Sequence, residues 1–434
     1  MCSAGPAVRP DPPAGGDVTP FELLSAIEAT GEDGERPLAI YVHIPFCASK
    51  CHFCDWVTDV PVARLRSGSA ARSAYVDALC RQIRSYGPLL TDAGYRPSVM
   101  YWGGGTPTRL DPDEMRAIAD ALYESFDLTA LRQWSMETTP NDLTATKVAA
   151  MRDLGVTRVS VGVQSFSPAQ LRRAGRAHTG ADSVRAVGLL REHGIDNFNL
   201  DLICGFPGEP APAFEASLDE ALDLDPPHIS VYPYRPTPGT IMAMQIDRAA
   251  VGAHTAGPMI RIYERAMSML RTHGYGEYCH GYWVRRPEDE DLDGNFKYDL
   301  TGDKIGFGSG AESIIAHHLL WNENSEYSRY LADPLGFSVS HRFDTAHPEH
   351  LTAPIGGALM TREGVVRQRF HRLTGLDLDD VRATGYVQRW FALLHDFGGR
   401  FVDDGHSLRL DPATIHTAYI GHLAATAGLH IGRA

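Results

Sequence analysis

No apolar run in the 434-residue chain approaches the roughly 18 residues that mark a bilayer span. A membrane span is therefore not expected. The first residues show no basic stretch leading into an apolar core, so a secretory leader is not expected either. Positive charge is the scarcer sign: 40 Lys and Arg stand against 54 Asp and Glu, a formal charge of −14. Such a chain is poorly equipped to neutralise many phosphates, which argues against a nucleic-acid partner and leaves a small-molecule substrate. Cysteine is scarce too. Seven cysteines are too few for a disulfide scaffold. Of these, Cys2, Cys80, Cys204 and Cys279 are scattered and read as small apolar residues. A reducing, cytoplasmic location is the expectation.

What is present is an ordinary globular composition, 43% hydrophobic and 22% charged. Residues 1–37 are rich in Pro, Gly and Ala, with helical spacing only over Phe21–Ile27; a poorly ordered extension is expected there. From residue 38 short apolar runs alternate with amphipathic stretches. The strand-like runs are Leu38–Ile44, Val99–Trp102, Trp134–Glu137, Arg158–Val163, Asn197–Cys204 and His228–Tyr232. Between them, Val76, Leu79, Ile83 and Tyr86 share a helical face. So do Met115, Ile118, Leu122 and Phe126, and then Val184, Val187 and Leu190. Six βα units of this kind imply a parallel α/β sheet, either doubly wound or a partial barrel. After residue 245 the pattern changes. A helix is expected over Ile260, Tyr263, Met267 and Leu270, an extended stretch over Tyr275–Val284, and charged irregular chain over 285–304. Beyond about 341 helical patterns surround a hairpin signal, Phe401–Leu410, with Asp404-Gly405 at its turn. The expected organisation is an extension (1–37), a barrel (38–245), a barrel extension and connector (246–340) and an accessory domain of helices and a β-hairpin (341–434).

The chain is organised around Y-V-H-I-P-F-C-A-S-K-C-H-F-C, residues 41–54. Cys47, Cys51 and Cys54 fall at i, i+4 and i+7 in one short loop. Three thiolates there suit three corners of an iron–sulfur cubane and leave one iron open. The competing reading is structural zinc, which needs a fourth ligand such as His52 or Asp55 and usually uses two paired halves.

The second strand runs into Y-W-G-G-G-T-P, residues 101–107. Gly103, Gly104 and Gly105, followed by Thr106, let a backbone approach a polar ligand, or simply make a tight turn before a helix. Further polar residues fall at strand ends: Glu137 in M-E-T-T-P, Gln164 in G-V-Q-S-F, and Arg176 in A-G-R-A-H-T. Each also has an ordinary reading, as a helix-leading acid, a turn residue and a solvated base. Asp201, inside N-L-D-L-I-C-G-F-P-G, is harder to dismiss, because a buried charge needs a partner.

The C-x3-C-x2-C spacing with Phe53 before the last cysteine resembles the radical S-adenosylmethionine (SAM) signature. The lead-in Y-V-H-I-P-F-C resembles one branch of that superfamily. The branch contains oxygen-independent coproporphyrinogen III oxidase, the related heme chaperones, and the class C radical SAM methylases and cyclopropanases. The likeness extends from about residue 38 to about residue 310, and more weakly to the end. It implies an open (βα)6 partial TIM-type barrel with its site at the C-terminal strand ends. It implies a [4Fe-4S] cluster on Cys47, Cys51 and Cys54, and SAM against Gly103, Gly104, Gly105 and Thr106. Glu137 would meet the SAM amino group; Gln164, Arg176 and Asp201 would lie on its ribose or carboxylate side. Tyr41 and Phe53 match aromatics near the cluster-bound SAM, and His43 belongs to the motif without an assigned role. The implied chemistry is reductive cleavage of SAM to methionine and a 5′-deoxyadenosyl radical, fed by an external reductant such as flavodoxin or ferredoxin.

Within the branch the residues discriminate. Heme chaperones carry H-N-x-x-Y-W where this chain has G-N-F-K-Y-D, residues 294–299. Asn295 and Tyr298 remain, but Gly294 and Asp299 replace the His and Trp; G-F-G-S-G-A, residues 306–311, is kept. A porphyrinogen with several carboxylates calls for basic groups, and only Arg235 follows the sixth strand. The resemblance therefore points to a class C methylase or cyclopropanase, which binds two SAM molecules and transfers a methylene radical from the second to an sp2 carbon. Asp55 and Trp56 just past the cysteines fit that group. Tyr232 and Tyr234 stand where a second SAM or a flat substrate could stack, or where ordinary packing would put them. Oxidative decarboxylation of a porphyrinogen and heme trafficking are the alternatives.

Overall fold

The computed structural model describes residues 17–18, 27, 35–56, 58, 69–247, 256–298, 301–315, 320–323, 327–342 and 351–417. Of the helical stretch expected over Phe21–Ile27 only Ile27 is described, and Cys2 and Asp299 also lie outside. Six parallel strands form the centre: β1 (Arg36–Ile44), β2 (Tyr95–Gly104), β3 (Gln133–Thr138), β4 (Arg158–Gln164), β5 (Phe198–Cys204) and β6 (His228–Pro233). They lie side by side in chain order, each hydrogen-bonded to the next. Right-handed crossovers between strands in unreversed order put every helix on the same face. A doubly wound sheet needs a reversal point, and there is none, so the strand order selects the partial barrel. The sheet does not close. Beyond β6 stand β8 (Tyr282–Val284), antiparallel to it, and β7 (Gly276–Cys279). Beyond β1 stands β9 (Asp303–Phe307), parallel to it, followed by β10 (Glu312–Ile315), β11 (Leu320–Glu323) and β12 (Phe337–Arg342).

The outer layer consists of α1 (Ser69–Asp92), α2 (Pro112–Ser125), α3 (Ala145–Leu154), α4 (Gly180–Glu192), α5 (Ala211–Asp223) and α6 (Ala256–Thr272). Helix α2 starts at a reciprocal cap: the Glu114 amide donates to Asp111, and the Asp111 amide donates to Glu114. Val76, Leu79, Ile83 and Tyr86 of α1, and Met115, Ile118 and Leu122 of α2, are buried. On α4 the expected face is corrected. Val184 is 50% exposed, while Ser183, Ala186, Val187 and Leu190 are buried. Those four follow the i, i+3, i+4, i+7 stripe, and Val184 lies one residue, about 100°, off it.

Each central strand is buried on both faces, but the faces differ. Ile40, Val42, Met100, Trp102, Met136, Val161 and Leu200 point outward into one apolar core with the helices. A fully buried side chain of this kind contributes about 1.5–3 kcal/mol. The alternate positions, among them Tyr41, Glu137, Arg158, Asn199, Asp201 and His228, are buried and mostly polar, and Tyr101 is half-buried. They line the inside of the barrel.

Residues 351–410 have a separate core around Ile355, Phe370, Val387, Leu394 and Leu408. It is closed by a three-stranded sheet of Val365–Val366, Phe401–Asp403 and Ser407–Leu410. At the Asp404-Gly405 turn Gly405 takes φ +79°, and Asp404 accepts from the amides of His406 and Ser407. This unit is fastened to β7. The His280 amide donates to the Met360 carbonyl, and the Arg362 amide to the Tyr278 carbonyl, both at 2.7 Å. No helix among the described residues is long and apolar enough to cross a membrane.

Candidate active site

The loop after β1 lies across the C-terminal ends of the strands and is tied down along its length. The Gly105 amide donates to Ile44 O (2.8 Å), the His52 amide to Ala174 O (2.9 Å) and the Met242 amide to His52 O (2.8 Å). Lys50 Nζ holds the far limb through Trp56 O (3.2 Å) and Thr58 Oγ1 (2.9 Å). Cys47, Cys51 and Cys54 are free and half-buried. Burial pushes the Cys47 thiol up to about 11 and the Cys54 thiol up to about 12, so a metal must displace their protons. Arg176 Nη1 reaches Cys51 Sγ at 3.2 Å. Of the candidate fourth ligands for zinc, His52 has Nδ1 on Arg173 O (2.8 Å), leaving only Nε2, and Asp55 is paired with Arg235 (3.5 Å). Among the described residues no three His, Cys, Asp or Glu gather around a single metal ion. A cubane asks instead for three thiols spread around its corners, and three free thiols on one anchored loop fit that group.

A cleft opens beside the loop. The three cysteines, Phe53, Gly104, Gly105, Thr106, Glu137, Gln164 and Arg176 all line it. Gln164 has φ +67° and sits at a break in the register between β4 and β5. A non-glycine residue in the left-handed region is strained, and such a bulge re-aims a side chain; here Gln164 borders the cleft. The glycines serve the chain's own packing as well. Gly104 has φ +103°, and a Cβ on it would stand 2.5 Å from the His43 ring; a Cβ on Gly105 would stand 2.6 Å from the Pro45 carbonyl carbon. Gly103 packs on Tyr101 and Glu137 and borders no cavity described here. Asp201 lies deeper, accepting from Ser160 Oγ (2.9 Å) and Asn199 Nδ2 (2.7 Å).

A second cavity opens in the barrel interior. Its walls are Tyr41, Tyr101 and Glu137 from β1–β3, Trp56 from the cysteine loop, and Tyr282, Asp291, Asp293, Gly294, Tyr298, Lys304, Glu312 and Ile314 from later chain. Glu137 borders both cavities. Its Oε1 accepts from the Tyr101 hydroxyl (2.7 Å) and its Oε2 from the Gly104 amide (3.2 Å). Burial pushes its carboxyl up to about 7. Asp293 grips Lys304 Nζ at 2.9 and 2.8 Å. Asp291 faces the buried Arg158 at 3.4 Å. Sequence reasoning missed Tyr101, Asp291, Asp293, Lys304 and Glu312 as site residues. The available signal was the acidic run Asp289–Asp293, read as charged irregular chain. Tyr232 and Tyr234 border neither cavity. Tyr232 packs edge-on against Tyr282, and Tyr234 packs on Phe206, so ordinary packing accounts for their burial.

A one-directional parallel partial barrel, carrying three free cysteines on the loop after its first strand, defines a radical SAM protein. The model of the radical SAM superfamily matches residues 41–221. The heme chaperone HemW of Escherichia coli (strain K12) is 30% identical over 365 residues, 81% of this chain and 92% of that protein. HemW of Bacillus subtilis (strain 168) is 28% identical over 350 residues, 79% and 88% of the two. The oxygen-independent coproporphyrinogen III oxidase of Salmonella typhimurium is 30% identical over 321 residues, 71% and 68%. The structure of coproporphyrinogen III oxidase (HemN) from Escherichia coli superposes with a TM-score of 0.74 over 96% of each chain, at 22% identity, which speaks to the fold. The chain belongs to the radical SAM superfamily, in the branch of HemN and HemW. With that membership come a [4Fe-4S] cluster and SAM.

Proposed function

We propose that the protein is a radical SAM enzyme of the class C type, a methylase or cyclopropanase that uses two SAM molecules on an sp2 carbon of a small unsaturated substrate held in the inner cavity. Cys47, Cys51 and Cys54 would hold the cluster, which when bound supplies the electron that splits SAM into methionine and a 5′-deoxyadenosyl radical. A flavodoxin or ferredoxin would deliver that electron.

The chain's own residues have distinct tasks. Arg176 sets its guanidinium on Cys51 and on the Gly162 carbonyl. Glu137 offers a carboxylate to an ammonium group in the cleft, and the Tyr101 hydroxyl holds that carboxylate in place. Gln164, Thr106 and the Gly104-Gly105 backbone border the same space. Trp56 and Tyr41 stand where the inner cavity meets the loop.

One observation carries the choice within the branch. The ionisable groups lining the inner cavity are Glu137, Asp291, Asp293, Glu312 and Lys304, and Lys304 is already bound to Asp293. Arg235, the basic residue that the sequence offered for a polycarboxylate, is paired with Asp55. With Lys304 engaged by Asp293 and Arg158 by Asp291, the described lining offers a polyanion no unpaired base and two acids without a cationic partner among the described residues, Glu137 and Glu312, which suits a porphyrinogen poorly. Heme handling is disfavoured at Gly294, where the chaperones' histidine is absent. The test is anaerobic reconstitution of the full chain with iron and sulfide, then SAM, a strong reductant and candidate unsaturated substrates. Substrate-dependent 5′-deoxyadenosine together with S-adenosylhomocysteine supports the two-SAM methylase. Neither nucleoside from an intact cluster, with tight hemin binding by absorbance, refutes it.

A further inference from the structure

The inner cavity presents more negative charge than the chain neutralises. Asp293 is chelated by Lys304, and Asp291 faces Arg158. Glu137 meets only neutral donors, the Tyr101 hydroxyl and the Gly104 amide. Glu312, half-buried on β10, takes part in no ion pair among the described residues. Just behind this wall Asp201 is likewise held by neutral donors, Ser160 and Asn199. Lys304 is the only basic side chain in the described lining.

The same wall already holds one organic cation. Lys304 Nζ sits between both oxygens of Asp293 and the Tyr41 ring, 5.0 Å from the ring centroid. Tyr41 in turn stacks on Tyr101, with centroids 6.1 Å apart and planes 20° apart. Ring faces beside carboxylates attract ammonium groups and repel carboxylates.

We propose that the substrate of the inner cavity carries a protonated amine, received by Glu312 with the aromatic wall beside it. This rests on reading the inner cavity as the substrate site of a radical SAM enzyme. A carboxylate in the same cavity would meet the acidic side chains of Glu312 and Glu137 beside partly buried walls, where like charges are screened less than in open water. An ammonium replaces lost hydration with one ion pair and a ring face.

Two indoles of equal chain length and opposite charge, tryptamine and indole-3-propionate, test the assignment. Their binding to the cluster-loaded full chain with one equivalent of SAM, without reductant, is measured by calorimetry. Tryptamine should bind at least about 10-fold more tightly. Glu312→Gln should bring the two within about threefold, and Glu312→Lys should reverse the order. Both variants should keep the cluster absorbance. Equal binding, tighter binding of the acid, binding of neither, or a preference that survives Glu312→Gln would each overturn the proposal. Displacement of tryptamine by further SAM would overturn it too, because the bound cation would then belong to the cosubstrate. Reductive formation of 5′-deoxyadenosine is scored separately. If it occurs without amine preference, only the charge assignment falls; if it is absent, the enzymatic reading falls first.

Discussion

Glu137→Gln separates what the site costs from what it does. In the folded chain burial lifts the Glu137 carboxyl from 4.5 to about 7. The folded state therefore holds a proton that the unfolded chain has already released between those values. Stability associated with this group is present in full below pH 4.5, and is lost as the pH rises through about 7. The ceiling is about 3 kcal/mol, from roughly 1.4 kcal/mol per unit. Glutamine approximates the protonated acid in shape and charge. Near pH 5 the variant and the parent should unfold at nearly the same denaturant concentration. At pH 8 the variant should be more stable, by about 1–3 kcal/mol once one imperfect hydrogen bond to Tyr101 or Gly104 is allowed for. SAM binding should move the other way, weakening about 10-fold as a carboxylate–ammonium pair is lost. Urea midpoints of the full chain at the two pH values, with calorimetric SAM binding at pH 8, make the measurement. A stability difference that does not change with pH would refute the reasoning, because Glu137 would then be ionised in the fold throughout.

Three further outcomes follow from the geometry. Cys51→Ala should abolish the iron–sulfur absorbance on reconstitution; a full-strength spectrum would sink the cluster assignment. Gly104→Ala should cost about 3 kcal/mol or more, since it combines a left-handed backbone with overpacking against the His43 ring; an unchanged denaturation midpoint would contradict this. Gly294 lies in the helix Leu292–Tyr298, and a Cβ there would meet only Tyr282, at 3.9 Å. Gly294→Ala should therefore stabilise by about 0.5–1 kcal/mol, whereas Gly294→Trp should fill the inner cavity and remove tryptamine binding while leaving SAM binding intact. Parent-like tryptamine binding in the Trp variant would show that position 294 does not border the substrate.

The parts legible in the sequence were those with a local signature. Cys47, Cys51 and Cys54 announce themselves by spacing, and the Gly103–Gly105 run marks the end of β2. The six strands were visible because β-branched and aromatic runs recur between amphipathic stretches. Partial barrel and doubly wound sheet share that local pattern and differ only in neighbour order, which no single unit records. The inner polar layer stayed hidden for a different reason. Strands buried on both faces lose the exposed–buried alternation that betrays a face. Asp201 stood out because its neighbours are aliphatic. Glu137 was picked out by its place at a strand end, whereas Tyr101 sits beside the glycine run, where an aromatic residue looks ordinary. Val184 was misplaced because a short apolar triplet fits two adjacent helical stripes, and only packing chooses between them.

Asp291, Asp293, Lys304 and Glu312 show where this branch has room to diverge. The six strands and the cysteine loop determine where a radical arises, and their geometry tolerates little change: His43, Pro45 and Glu137 already crowd the glycines. The chain after β8 is crowded at its own glycines too, since a Cβ on Gly306 would run into the Glu312 carbonyl, but its Asp293, Lys304 and Glu312 side chains face the inner cavity. It crosses back from β8 to β9 and β10 past the strand starts, where Gln133 and Arg158 hold it, supplying side chains to the inner cavity from helix and strand termini. There a substitution alters the ligand-facing charge without disturbing the outer core. By the sequence resemblance Gly294 stands where the chaperone motif has a histidine, and in this chain it borders the inner cavity. Asp291 and Asp293 sit within three residues of it and reverse the charge that a polycarboxylate would need. Identity of about 30% to proteins of different roles is compatible with a shared radical source and a separate substrate wall. On the proposed reading, substrate choice falls to Asp291, Asp293, Lys304 and Glu312, which line the inner cavity from this later segment.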